Sequence, residues 1–178
     1  MKKLLFIAAI ASIGILITLS FKPKAESAQH IKWMTMKEAL AASKKNPKKI
    51  IVDVYTDWCG WCKKMDKATY ENPKIISNIN KNYYAVKFNA EREEDIEYMG
   101  KMYKMPQTGG RATHELAVFM LQGQMSYPST LILNDDNSII QNIPGYIEAD
   151  MMNTVLSYFG GNHHKTTAWD TYQKNFKK

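Results

Sequence analysis

The first apolar block along the chain runs from Leu4 to Phe21 behind Met1-Lys2-Lys3, a positive start followed by a hydrophobic stretch. That layout predicts an export signal over residues 1–20, cleaved or kept as an anchor, and it places the protein outside the cytoplasm. Residues 21–30, rich in Lys, Pro, Glu, Ser and Gln, read as a linker. Beyond them the apolar positions become short and periodic. Thr35-Met36-Lys37-Glu38 is a capping box: the threonine hydroxyl satisfies a free amide, the glutamate reaches back, and a helix follows over 36–45. Asn46-Pro47 ends it. Ile50 to Tyr55 is apolar on both alternating faces, as in a central strand covered on both sides.

A helix is expected from Gly60 through Tyr70, broken by Asn72-Pro73, with a shorter one to Ile79 and a strand over Tyr83–Phe88. Ile96, Met99 and Tyr103 recur at helical spacing after an acidic start, so residues 91–105 read as a helix that stops at Pro106. Gln107-Thr108-Gly109-Gly110 reads as a loop and His114–Gln122 as another helix. Two strands, Leu131-Ile132-Leu133 and Ser138-Ile139-Ile140, flank the tight turn Asn134-Asp135-Asp136-Asn137. A helix over 148–159 ends at Gly160-Gly161. Trp169, Tyr172 and Phe176, at offsets of three and four, predict a tail helix within 162–178 that docks on the body.

Composition narrows this to one domain. The chain has 178 residues, 45% hydrophobic and 23% charged, which accommodates one ordinary globular unit over 31–161 plus short extras. The net charge is +7, but Lys2, Lys3, Lys22 and Lys24 lie in the amino-terminal stretch and the rest is dispersed, so no nucleic-acid partner is expected. Lys44, Lys45, Lys48 and Lys49 read as a solvated helix end and strand start. The two cysteines, Cys59 and Cys62, are too few for a disulfide framework or a four-thiolate zinc site.

Their position is the informative part. A CxxC that follows a buried strand and opens a helix sets the first thiol beside free backbone amides and the positive helix end, which favour thiolate. The second thiol, one turn on, is placed to attack a mixed disulfide on the first. Taken alone, the pair also fits half of a metal site or coincidence. Asp53 falls inside the apolar strand, where an ionised carboxylate costs several kcal/mol unless it is paired or neutralised. It reads either as an edge residue reaching solvent or as a buried base beneath the CxxC that takes the proton of Cys62. Lys87, on the next strand, is its natural partner.

The run Ile51-Val52-Asp53-Val54-Tyr55-Thr56-Asp57-Trp58-Cys59-Gly60-Trp61-Cys62-Lys63 resembles the active-site segment of thioredoxins, with Trp61 in place of the family's middle proline. The family's buried aspartate maps to Asp53, its strand lysine to Lys87, its cis-proline to Pro128 and its late glycine to Gly145. The likeness spans about residues 35–160 and is strongest to exported thioredoxin-like proteins with a Trp-Cys-Gly-Trp-Cys motif, similar to the carboxy-terminal domain of disulfide-reductase membrane proteins. It implies an α/β thioredoxin fold, a central mixed sheet flanked by helices, with a helical insertion over 90–126 before the cis-proline strand. It also implies Cys59 as nucleophile and Cys62 as resolving thiol, with Asp53 and Lys87 behind them. Trp58, Gly60, Trp61, Tyr127 and Pro128 would form the substrate rim, a cis bond at Pro128 turning the Tyr127 backbone outward to meet an extended peptide.

The activity implied is thiol-disulfide exchange on exported proteins or peptides, with no cofactor beyond the Cys59–Cys62 disulfide and with a membrane electron donor. A carboxylate near Cys59 opposes thiolate formation and favours the reducing direction. Two other readings stand beside it. Met99, Met102 and Met105, with the cysteines, His114 or His163-His164, fit periplasmic copper handling. A redox-silent peptide-binding module is the other. The insertion either restricts the partner that reaches Cys59 or simply packs over a sheet edge.

Overall fold

In the computed structural model, residues 30–107 and 111–176 are described. The segment read as a signal or anchor, and the linker up to residue 29, lie outside them. Among the described residues no helix is long and apolar enough to cross a membrane.

The capping box forms as read: the Thr35 hydroxyl accepts from the Glu38 amide, the Glu38 carboxylate accepts from the Thr35 amide, and α1 spans Met36–Lys45. Strand β2, Lys49–Tyr55, is central. It pairs in parallel with β3, Tyr83–Asn89, and antiparallel with β6, Ser129–Leu133. A two-residue β1, Trp33–Met34, extends the β3 side, β7, Ile139–Pro144, extends the β6 side, and the sheet order is β1-β3-β2-β6-β7. Asn72 caps α3, Pro73–Asn82, by accepting from the Lys74 amide, with proline at the first helical position where its missing N–H costs nothing. α5 spans Ala149–Gly160 and α6 Trp169–Asn175.

The two faces of the sheet bury different residues, as the period of two requires. One side packs Ile50, Val52, Val54, Val86, Phe88 and Leu131 against α1 and the segment between β3 and β6. The other packs Ile51, Ala85 and Ile132 against α3 and α5.

The predicted helix over 91–105 is not present. Ile96–Tyr98 and Lys101–Tyr103 form strands β4 and β5 of a hairpin instead. Met99 and Gly100, with φ of 50° and 79°, make the two-residue turn, which needs positive φ at both positions. The segment His114–Gln122 does contain a helix, α4, Glu115–Met120. Lys49 is a second correction: it is buried rather than solvated, and its ammonium reaches the Asn162 side chain at 2.6 Å.

Candidate active site

Strand β2 delivers Thr56, Asp57 and Trp58, and helix α2, Gly60–Met65, begins immediately after Cys59. Cys59 and Cys62 form a disulfide with Cα atoms 5.3 Å apart, and both residues are buried. Cys59 is the N-cap: its Sγ accepts from the Cys62 amide at 3.0 Å. The donor that would stabilise a Cys59 thiolate is therefore already in place. α2 runs on into a π-helical turn, Asp66–Tyr70, so helical structure spans Gly60 to Tyr70 as read, with one wider turn. That turn carries Tyr70 into the core and lets the Thr69 hydroxyl donate to the Ile147 carbonyl at 2.6 Å.

Asp53 is 1% exposed, which decides between the two readings of it: no solvent edge is available. In the sheet register it lies between Lys87 on β3 and Thr130 on β6. The Lys87 ammonium donates to Asp53 Oδ2 and also to Asp66 Oδ1, a second carboxylate that sequence reasoning missed. No regular spacing marked Asp66, which lies four residues beyond Cys62 where the helix gives way to the wider turn. Three aromatic rings surround the ammonium, those of Tyr55, Trp33 and Tyr70, with centroids 4.9, 5.3 and 5.4 Å away.

Burial pushes the Asp53 carboxyl up to about 6, against the pull of Lys87. For Lys87, burial works against the ammonium, but Asp53 and Asp66 outweigh it and hold the lysine above its ordinary value.

The rim residues converge on the disulfide end of the sheet. Trp58 and Trp61 are 52% and 57% exposed, unusual for tryptophan. Trp58 meets the Tyr127 ring edge-on at 6.0 Å, and Trp61 lies against Tyr146 with the Lys64 ammonium 4.6 Å over its ring. Gly60 is open to space. The Tyr127-Pro128 bond is cis, and the Pro128 carbonyl accepts from the amide of Gly145, whose φ is 91°.

The insertion reaches this rim, through residues the sequence did not single out. Glu91 accepts from Trp58 Nε1 at 3.0 Å and pairs with Arg111, whose guanidinium lies 5.0 Å over the Trp58 ring. Arg92 pairs with Asp57 at 3.0 Å. Together with Met105 and Pro106 these residues line an open cleft of about 630 Å³ beside Trp58.

Two histidines of the soft-metal reading, His114 and His163, are engaged elsewhere. His114 is buried with both ring nitrogens engaged: Nδ1 accepts from the Leu116 amide, and Nε2, facing the Glu94 carbonyl at 2.9 Å, carries the hydrogen. Met99 and Met102 are exposed on the hairpin, and the His163 ring lies against Tyr172 at 4.7 Å. Among the described residues no three His, Cys, Asp or Glu side chains could together hold a metal ion.

Comparison with known proteins follows the same lines. The family model Thioredox_DsbH, described as a protein of unknown function, DUF255, matches residues 21–167. The thiol:disulfide interchange protein DsbD of Salmonella choleraesuis is 32% identical over 79 residues, covering 40% of this chain and 14% of that protein. The chain spans only 10–14% of the length of the curated relatives it matches. Among solved structures, a thioredoxin-fold protein from Helicobacter pylori superposes with a TM-score of 0.57 at 14% identity, over 72% of this chain and 84% of that one. A DsbH oxidoreductase does so at 0.52 and 18%, over 74% and 85%. The fold is the thioredoxin fold.

Proposed function

The chain belongs to the Thioredox_DsbH family, and from that premise we propose that it is a thiol-disulfide oxidoreductase, acting outside the cytoplasm to reduce disulfides of exported proteins. The observation that carries this reading is the buried Cys59–Cys62 disulfide at the start of α2, with Asp53 on the strand that leads into it. The stretch of identity with DsbD supports it. The amino-terminal sequence supports the location.

In the reduced protein, the Cys59 thiolate attacks one sulfur of the substrate disulfide, and the other substrate sulfur leaves as a thiol with a proton from solvent. Cys62 then gives its proton to Asp53 and attacks Cys59 Sγ. This re-forms the disulfide and expels the second substrate sulfur as a thiolate, which takes a proton from solvent while Asp53 gives its own back to solvent. Two electrons pass to the substrate, and a membrane-bound dithiol donor restores them. Lys87 holds Asp53 in place. Trp58, Trp61 and Tyr127, with Gly60 and Pro128 between them, form the surface against which an extended peptide lies.

Reduction of a protein disulfide by the wild type, and its loss in Cys59→Ser, is the direct test; a wild type without exchange activity overturns the reading. Direction is tested by a redox titration of the pair. Potentials of such proteins run from about −270 to −120 mV, and a value near the oxidising end overturns the reducing role.

A further inference from the structure

Three buried polar atoms meet beside the base and lack an ordinary hydrogen bond to any described residue: Asp53 Oδ1, the Tyr70 hydroxyl and Thr130 Oγ1. Their placement follows from the fold. Thr130 stands directly opposite Asp53 in the β2–β6 register, and the π-helical turn carries Tyr70 into the core with its ring 5.4 Å from the Lys87 ammonium that Asp53 holds. Tyr70 is 4% exposed, and its hydroxyl is near enough that its ionisation feels the Asp53 carboxylate and the Thr130 hydroxyl. Burial holds that hydroxyl protonated far above neutral pH, so it always has a hydrogen to offer. Leaving three such groups idle would cost several kcal/mol in all.

We propose that Tyr70 is a positioning residue for the buried base, its hydroxyl forming a reversible hydrogen-bond chain between Asp53 Oδ1 and Thr130 Oγ1. With Asp53 ionised, Thr130 donates to Tyr70 and Tyr70 donates to Asp53. With Asp53 protonated, the chain reverses: the carboxyl O–H donates to Tyr70, and Tyr70 turns its hydrogen to Thr130. Two rotations thus accommodate a proton arriving from Cys62 without admitting water. The other charged or titratable groups around this point are Lys87 from β3, Asp66 from the π-helical turn and Tyr55 from β2 beside Lys87, while Cys62 from α2 is held in the disulfide and becomes the proton source only when reduced. Lys87 occupies Oδ2 in either state, which leaves Oδ1 to Tyr70.

The inference rests on Asp53 being the base of the proposed exchange, and its test separates the two. Tyr70→Phe removes only the hydroxyl and keeps the ring against Trp33. In the resting disulfide form, the Asp53 carboxyl signal followed by carbon NMR is expected to titrate about one pH unit higher in Tyr70→Phe, because the ionised form loses a donor. Thr130→Val, which removes the far end of the chain in both protonation states, is expected to move it by less. A Tyr70→Phe midpoint equal to wild type overturns the proposal. This measurement needs no exchange activity, so a shifted midpoint in a protein without activity supports the Tyr70 contact while it sinks the oxidoreductase reading. In an active protein, Tyr70→Phe is expected to shift the acid limb of the pH–rate profile upward, and to shift nothing in an Asp53→Asn background. An equal shift in that background overturns the proposal.

Discussion

Asp53 pays for its position in a way that pH can reveal. Its folded value of about 6 lies above the 3.8 of an unperturbed carboxyl, so between those values the folded protein binds more protons than the unfolded chain. Stability contributed by the protonated form is complete below the lower value and is lost as pH rises through the upper one; at neutral pH the loss is on the order of 3 kcal/mol. Urea unfolding of the disulfide form is therefore expected to show Asp53→Asn gaining on wild type between pH 4 and pH 8, by up to about that amount. A difference that stays constant with pH contradicts the assignment. Asp53, Lys87 and the cysteine pair were legible because each interrupts or ends an apolar strand run. Asp66 and Tyr70 were not, since what brings them to Lys87 is a helical turn of irregular width, and no regular period in the sequence announces one. Thr130 lies just before the strand read at Leu131–Leu133, and only the register sets it opposite Asp53.

At the scale of elements, the hairpin β4–β5 shows how a helical spacing misleads. Ile96, Met99 and Tyr103 suit one helix face, yet Met99 is 68% exposed while Ile96, Tyr98 and Tyr103 are buried. Ile96-Glu97-Tyr98 alternates inward and outward with a period of two, and Gly100, which the helical reading passed over, sits in the turn. A Cβ at Gly100 would meet nothing within 4 Å, so the cost of one is conformational alone. Gly100→Ala is expected to lower stability by about 1 kcal/mol, read as a shift in the urea midpoint with an unchanged slope. The capped helix α1 and central strand β2 were legible for the opposite reason: capping box, proline stop and an unbroken apolar run all agree locally.

For the whole molecule, the tail joins the second core through rings. Trp169 and Tyr172 lie 5.2 and 5.0 Å from Tyr158, and Tyr158 donates to the Thr167 carbonyl at 2.6 Å. Trp169→Ala is expected to cost about 2 kcal/mol, seen as a lower thermal midpoint, while exchange at Cys59 is unchanged. Loss of activity in the folded variant would show that the tail does more than pack. The overall architecture was readable from the order of elements, but the reach of the insertion to the disulfide was not, because Glu91 and Arg111 are twenty positions apart and meet only over Trp58. That meeting makes a taut linkage. A bulky partner that levers the Trp58 indole off its seat must break the bond to Glu91, and so slackens the hold on Arg111. Contact at the disulfide rim is thus also felt at two points of the insertion, Glu91 and Arg111.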